Sequence, residues 1–172
     1  NGTVVATNQF SLSTNNVTVF GGILDLGSTN VFTNTFYLGS GTIQNGYISN
    51  SLSFSGLSNG TVSANLIGSA ALLKIGPGTL ILSGFNNTYS GGTYLSQGIL
   101  MVSLYSNALS SGDIIVEGSG TLSLGGFTYT NNFSLNGGLI TNGVISNNLG
   151  FDQLYSGTNA AILVGSGTLN FS

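Results

Sequence analysis

Carboxylates are the first groups in this sequence whose spacing could support catalysis. Asp113 and Glu117 flank the apolar run 114–116. In an extended strand this spacing separates the carboxylates by about 13 Å, whereas glycoside hydrolysis needs about 5–9.5 Å. The sequence also has no His and no Arg to complete an acid–base set. We therefore predict no catalytic residues, and a polysaccharide-acting enzyme is the most distant alternative.

Metal and cofactor sites are not expected either. Cys and His are both absent, so thiolate and imidazole ligands are missing. The run Gly21–Asp25 resembles the calcium-binding nonapeptide of β-rolls only superficially. We interpret Asp25 as a solvated strand residue, and Lys74 as a solvating charge at the edge of a turn.

Aromatic and hydroxyl side chains offer a third kind of site. Among the 7 tyrosines, Tyr89 and Tyr94 are candidates for stacking on a glycan. The competing interpretation places tyrosines at corners of the fold, half packed and with the hydroxyl group wet. Two Thr-x-Thr patterns, 33–35 and 128–130, are too isolated to predict a regular ice-binding face.

The composition narrows the choice of partners. Only 3% of the residues are charged, while 41% are hydrophobic. With a single Lys the chain cannot neutralise phosphates, so neither nucleic acid nor an anionic membrane surface is an expected partner. No apolar run approaches the ~18 residues of a spanning helix, so we expect no membrane insertion in this segment. Weak charge repulsion favours self-association.

Short strands are the recurring local pattern. Apolar residues alternate over three to seven positions between Gly, Asn or Ser, and no helical stripe occurs. The predicted strands include 17–19, 23–26, 42–48, 52–54, 79–82, 99–102, 114–116, 121–124, 139–145 and 168–171.

Internal repeats organise these strands. The unit G-x-G-T-(Leu/Ile) begins at Gly39, Gly76, Gly118 and Gly165. A longer copy relates 36–56 to 133–157, and Phe133 lies 97 residues after Phe36. The chain is therefore predicted to be a single domain, 1–172, with an internal duplication of about 17–83 onto 114–172.

Loose spacing between repeats favours a solenoid over a sandwich or barrel. Extra residues in the polar turns leave the strand register of a stacked coil intact. We predict an all-β, right-handed parallel β-solenoid with about eight rungs of roughly 20 residues and no helical domain. Stacking would place like charges about 4.8 Å apart, which explains why charges are scarce.

One cassette resembles a known family. Leu73-Lys74-x-Gly76-x-Gly78-Thr79-Leu80, continued by Thr88-Tyr89-Ser90-Gly91-Gly92-Thr93, is similar to the autotransporter-associated β-strand repeat of bacterial passenger domains. The resemblance covers about 30 residues and implies a β-helical, extracellular, non-enzymatic stalk or fibre. It implies no catalytic or ligand residues.

Both ends of the sequence fall within a repeat, which predicts either a fragment or head-to-tail addition of subunits. We therefore expect a structural subunit of a surface filament or stalk, secreted and stacked end to end as a homopolymer. The alternative is an adhesin rod that binds glycans or host surfaces. The candidate end-to-end interface comprises Thr3, Val4, Val5, Thr168, Leu169 and Phe171.

Overall fold

The protein is a parallel β-solenoid. The computed structural model describes residues 2–50, 53–146, 151–166 and 169–171. These ranges contain eighteen strands and no helix. In chain order the strands are β1 (Thr3–Val5), β2 (Val17–Asp25), β3 (Val31–Phe32), β4 (Phe36–Gln44), β5 (Tyr47–Ser49), β6 (Gly60–Val62), β7 (Asn65–Ile67), β8 (Leu72–Lys74), β9 (Thr79–Leu82), β10 (Thr93–Leu95), β11 (Ile99–Val102), β12 (Ile114–Ser123), β13 (Thr128–Tyr129), β14 (Phe133–Thr141), β15 (Val144–Ser146), β16 (Phe151–Asn159), β17 (Ile162–Val164) and β18 (Leu169–Phe171).

One sheet runs the length of the rod. Its strands follow the order β1-β2-β4-β6-β9-β11-β12-β14-β16-β18, while β8 and β10 form a side branch that joins it at β12. Two three-stranded sheets, β3-β5-β7 and β13-β15-β17, form further faces. All the pairings between these strands are parallel, and the chain makes about eight turns. This confirms the predicted all-β solenoid, whereas the right-handed sense stays a prediction.

Apolar columns fill the interior because each rung places its inward residue on the one before it. Leu24, Ile43, Val62, Leu82 and Val102 are all buried, and the first four are successive register partners. Each such residue is covered above and below by another aliphatic side chain, which removes most of its apolar surface from water. The core is therefore continuous along the rod.

Asparagine side chains also join the rungs. Asn59 donates from Nδ2 to the Gly39 carbonyl at 2.9 Å, and its Oδ1 accepts from the Thr79 amide at 3.0 Å. One side chain therefore contacts the rungs on both sides of its own. Asn amides saturate backbone groups at corners where the strand ladder is interrupted.

Several strand lengths differ from the prediction at residues with positive φ. The predicted strands 17–19 and 23–26 are one strand, β2, whose register shifts between Phe20 and Ile23. The predicted strand 42–48 is wrong, because Asn45 and Gly46 have φ of 59° and 54° and divide it. The predicted strands 79–82 and 99–102 coincide with β9 and β11.

The structure repeats itself at the offset seen in the sequence. β3, β4, β5 and β7 recur as β13, β14, β15 and β17, each 97 residues later. Gly60 and Gly157, also 97 residues apart, have φ of 108° and 105°. The boundaries proposed for the duplication stay predictions.

Candidate functional site

The two carboxylates nearest in sequence are held separately. Asp113 accepts a hydrogen bond from Asn132 Nδ2 at 3.1 Å. Glu117 lies at the other end of the run 114–116 and accepts from the Tyr94 hydroxyl. Each carboxylate is thus engaged by a neighbouring rung, and the described residues contain no group of three metal-ligating side chains.

Asp25 is less solvated than the sequence indicated. It is half buried and accepts hydrogen bonds of 2.9 Å from Asn45 Nδ2, Gln44 Nε2 and the Gly27 amide. These bonds, with that from Asn45 contributing most, lower the pKa of the Asp25 carboxyl below its usual value. The carboxylate thereby fixes the turn after β2.

The prediction for Lys74 is wrong. We expected a solvating charge, yet its side chain is fully buried and points into the core at the end of β8. Its Nζ donates to the carbonyl of Gly76 and, at 3.1 Å, to that of Gln97 in the next rung. Burial lowers the pKa of the Lys74 amine. The expectation fails because Lys74 is two residues after the inward-facing Leu72 and so shares its face.

Tyr89 does not fit the glycan-stacking prediction. Its ring is fully buried and packs edge-on against Phe54 with a centroid distance of 5.9 Å. Its hydroxyl group hydrogen-bonds Thr93 Oγ1 at 2.7 Å. Burial raises the pKa of the Tyr89 phenol, and the ring has no face left for a sugar.

Tyr94 is half buried on β10, and the hydrogen bond to Glu117 raises the pKa of its phenol. A glycan contact at Tyr94 stays a prediction, without Tyr89 as its partner. Tyr129, which the sequence did not single out, is buried and its hydroxyl has no hydrogen-bond partner among the described residues.

The candidate end-to-end interface lies on edge strands. Thr3, Val4 and Val5 form β1, which among the described strands pairs with β2 alone. Val4 is 62% exposed and Val5 is 56% exposed. Leu169 and Phe171 lie in β18, the last strand of the same sheet, while Thr168 lies outside the described residues. The described residues of this interface therefore belong to opposite edges of one sheet.

Comparison with known proteins finds a similarity, which covers the segment from β8 to β11. Residues 72–102 match the family described as Passenger-associated-transport-repeat. This segment is similar to a passenger-associated transport repeat. This confirms the resemblance found in the sequence, and it places the buried Lys74 within the repeat. No curated protein and no solved structure matches the chain.

The repeat and the solenoid together indicate a surface protein of the autotransporter passenger type. This repeat belongs to passenger domains, which implies a surface or secreted location. It is a structural repeat rather than a known enzyme family. Within the described residues no helix is long and apolar enough to cross a membrane.

Proposed function

We propose that the protein is a non-enzymatic structural rod of the cell surface that extends by end-to-end stacking of its solenoid. The observation that carries this proposal is the unbroken parallel sheet from β1 to β18. Ten strands in its main path at about 4.8 Å spacing give a rod on the order of 40 Å long. Such a rod adds length at low cost, since each new rung repeats the contacts of the last.

The composition of the edge strand β1 supports this proposal. Its three residues, TVV, contain no charge and no Pro, the usual means by which proteins protect sheet edges. Its Val4 and Val5 expose apolar surface that a second copy would cover. Strand β18, LNF, likewise carries no charge. A parallel strand added at either edge would continue the existing hydrogen-bond ladder.

Light scattering over a concentration series tests this proposal. The mean mass of the wild-type protein should rise with concentration, and Val4→Lys should remain a monomer because an edge lysine opposes strand addition. Ile115→Lys is the matched control, since Ile115 is 37% exposed on the outer face of the internal strand β12. Equal masses for Val4→Lys and the wild type would contradict assembly through β1.

A further inference from the structure

Two surface clefts occur at equivalent positions in the two halves of the solenoid. The first, of about 420 Å³, is lined by Gln9, Phe10, Ser13, Thr14, Val31, Thr33 and Asn34. The second, of about 250 Å³, is lined by Ser106, Asn107, Ser110, Ser111, Thr128, Tyr129, Thr130 and Asn131. Every residue of the first cleft has a counterpart 97 positions later in the second.

The wall of each cleft is held by the same hydrogen bonds. Asn34 Nδ2 donates to the carbonyls of Ser13 at 3.1 Å and Asn15 at 2.7 Å. Asn131 Nδ2 donates to those of Ser110 at 3.1 Å and Gly112 at 2.6 Å. The amide nitrogen of each Asn is thereby engaged within the protein, which fixes the wall of the cleft.

The loops that carry these carbonyls have matching backbones. Ser13 and Ser110 have φ of 54° and 55°, an unusual conformation for residues other than Gly. In the first loop the Phe10 amide donates to Asn8 Oδ1 at 2.9 Å, and the Ser11 amide donates to the Asn8 carbonyl at 3.0 Å. The cleft is thus shaped before any ligand arrives, which lowers the entropic cost of binding.

The chemistry of the linings is neutral and rich in hydroxyl and amide groups. No charged residue lines either cleft, so a phosphate, sulfate or carboxylate would lose hydration without a compensating charge. Hydroxyls and amides both donate and accept hydrogen bonds, which matches the hydroxyl groups of a sugar. The two Thr-x-Thr patterns supply Thr33, Thr128 and Thr130 to these linings.

An aromatic ring completes the first cleft. Phe10 is 79% exposed, so its ring contributes little to the core. An exposed ring beside polar groups offers an apolar face to the C–H side of a pyranose. The counterpart in the second cleft is Asn107, which is exposed and donates to the Phe85 carbonyl. The second cleft therefore lacks an exposed ring at the position of Phe10, because its only aromatic lining residue, Tyr129, is buried.

We propose that the two clefts bind neutral saccharides, the first more tightly than the second. They lie five strands apart along the main sheet, from β2 to β12, which is about 24 Å. A polysaccharide chain that reached both clefts would bind with avidity. This proposal does not rest on end-to-end assembly, since a single copy contains both clefts.

Titration of the ¹⁵N-labelled protein with dextran, mannan and a soluble β-1,3-glucan, followed by NMR, tests the proposal. At least one of these should shift the amide signals of residues 8–14 and 31–34, and alginate, an anionic polysaccharide, should not. Phe10→Ala should weaken that binding about tenfold. Phe20→Ala is the matched control, because Phe20 is 81% exposed and lines neither cleft, and it should bind like the wild type.

A gain-of-binding variant tests the second cleft. Asn107→Phe places a ring where the first cleft has Phe10, so the amide signals of residues 106–111 and 128–131 should shift at lower polysaccharide concentration than in the wild type. Three results would overturn the proposal: no shift with any of the neutral polysaccharides, shifts with alginate alone, or shifts confined to residues outside both clefts.

Discussion

Lys74 and Leu95 are register partners on adjacent rungs, and both side chains are fully buried. Leu95 is in turn paired with Val116, and Val116 with Leu135, so the lysine occupies one position in an otherwise aliphatic column. No salt bridge to Lys74 is present among the described residues; its Nζ is held by carbonyl oxygens instead. The segment 72–102 therefore joins its two rungs through a buried amine.

Replacing Lys74 should show that its length matters more than its charge. Lys74→Ala should lower the free energy of unfolding by about 3 kcal/mol, because it leaves a cavity and two unpaired carbonyls. Lys74→Met leaves the same two carbonyls unpaired, but it fills a similar volume and removes a buried charge, so it should lose only about 1 kcal/mol. Urea denaturation measures both, and equal losses for Ala and Met would contradict the packing role.

The pH dependence of Lys74 follows from its burial. Its pKa in the folded state lies below the ordinary value of 10.5, so the unfolded chain binds more protons between these two pKa values. Stability of the wild type should therefore rise relative to Lys74→Met as the pH increases toward 10.5. Urea denaturation at successive alkaline pH values measures the stability of the wild type relative to Lys74→Met. If this relative stability fell with increasing pH, the folded-state pKa of Lys74 would not be lowered.

Asp25 should stabilise the fold at neutral pH and lose this effect in acid. Its pKa in the folded state is below the ordinary value of 3.8, so its contribution is complete above 3.8 and vanishes as the pH falls through the folded value. The stability difference between the wild type and Asp25→Asn should shrink over that range. A difference that is constant with pH would show that the three hydrogen bonds do not favour the ionised form.

Asn34 and Asn131 should stabilise the contacts between rungs to the same extent. Each donates two hydrogen bonds from one buried amide, so Asn34→Ala and Asn131→Ala should each cost about 2 kcal/mol. Asn136→Ala, at an exposed position, is the control and should cost less than about 0.5 kcal/mol. Chemical denaturation measures the three losses in the free energy of unfolding. Equal losses for all three variants would show that the hydrogen bonds of Asn34 and Asn131 do not stabilise the fold.

Gly60 should resist substitution for steric reasons. Its φ is +108°, and a Cβ there would stand 2.6 Å from the Gly41 carbonyl oxygen on the preceding rung. Gly60→Ala should therefore destabilise the protein by about 2 kcal/mol or more. Thermal unfolding measures this loss of stability. Gly2→Ala is the control: a Cβ there meets nothing within 4 Å, so the substitution should leave the stability nearly unchanged.

The sequence predicts this fold well where strands alternate cleanly. β9 and β11 coincide with their predicted ranges because each places apolar residues at alternate positions between polar or Gly boundaries. The sequence underestimates the lengths of β2 and β12. Each of these strands continues across glycines with positive φ, namely Gly21 and Gly22 in β2 and Gly118 in β12. A glycine that bends a strand looks, in sequence, the same as one that ends it.

The candidate sites were harder to predict for a different reason. Strand alternation does indicate that Lys74 faces inward, since Leu72 lies two residues before it, but a charge is normally expected at the surface. Tyr89 lies outside the strands, where no period indicates which way a ring points. The clefts join segments 17 or more residues apart, and only the shared offset of 97 links their residues in sequence.

Electron microscopy of the purified protein at increasing concentration tests the central claim most directly. End-to-end stacking predicts rods whose lengths are multiples of about 40 Å, with Val4→Lys limited to single rods and Ile115→Lys unaffected. Dispersed single rods of wild-type protein at high concentration would contradict the claim that this solenoid assembles end to end.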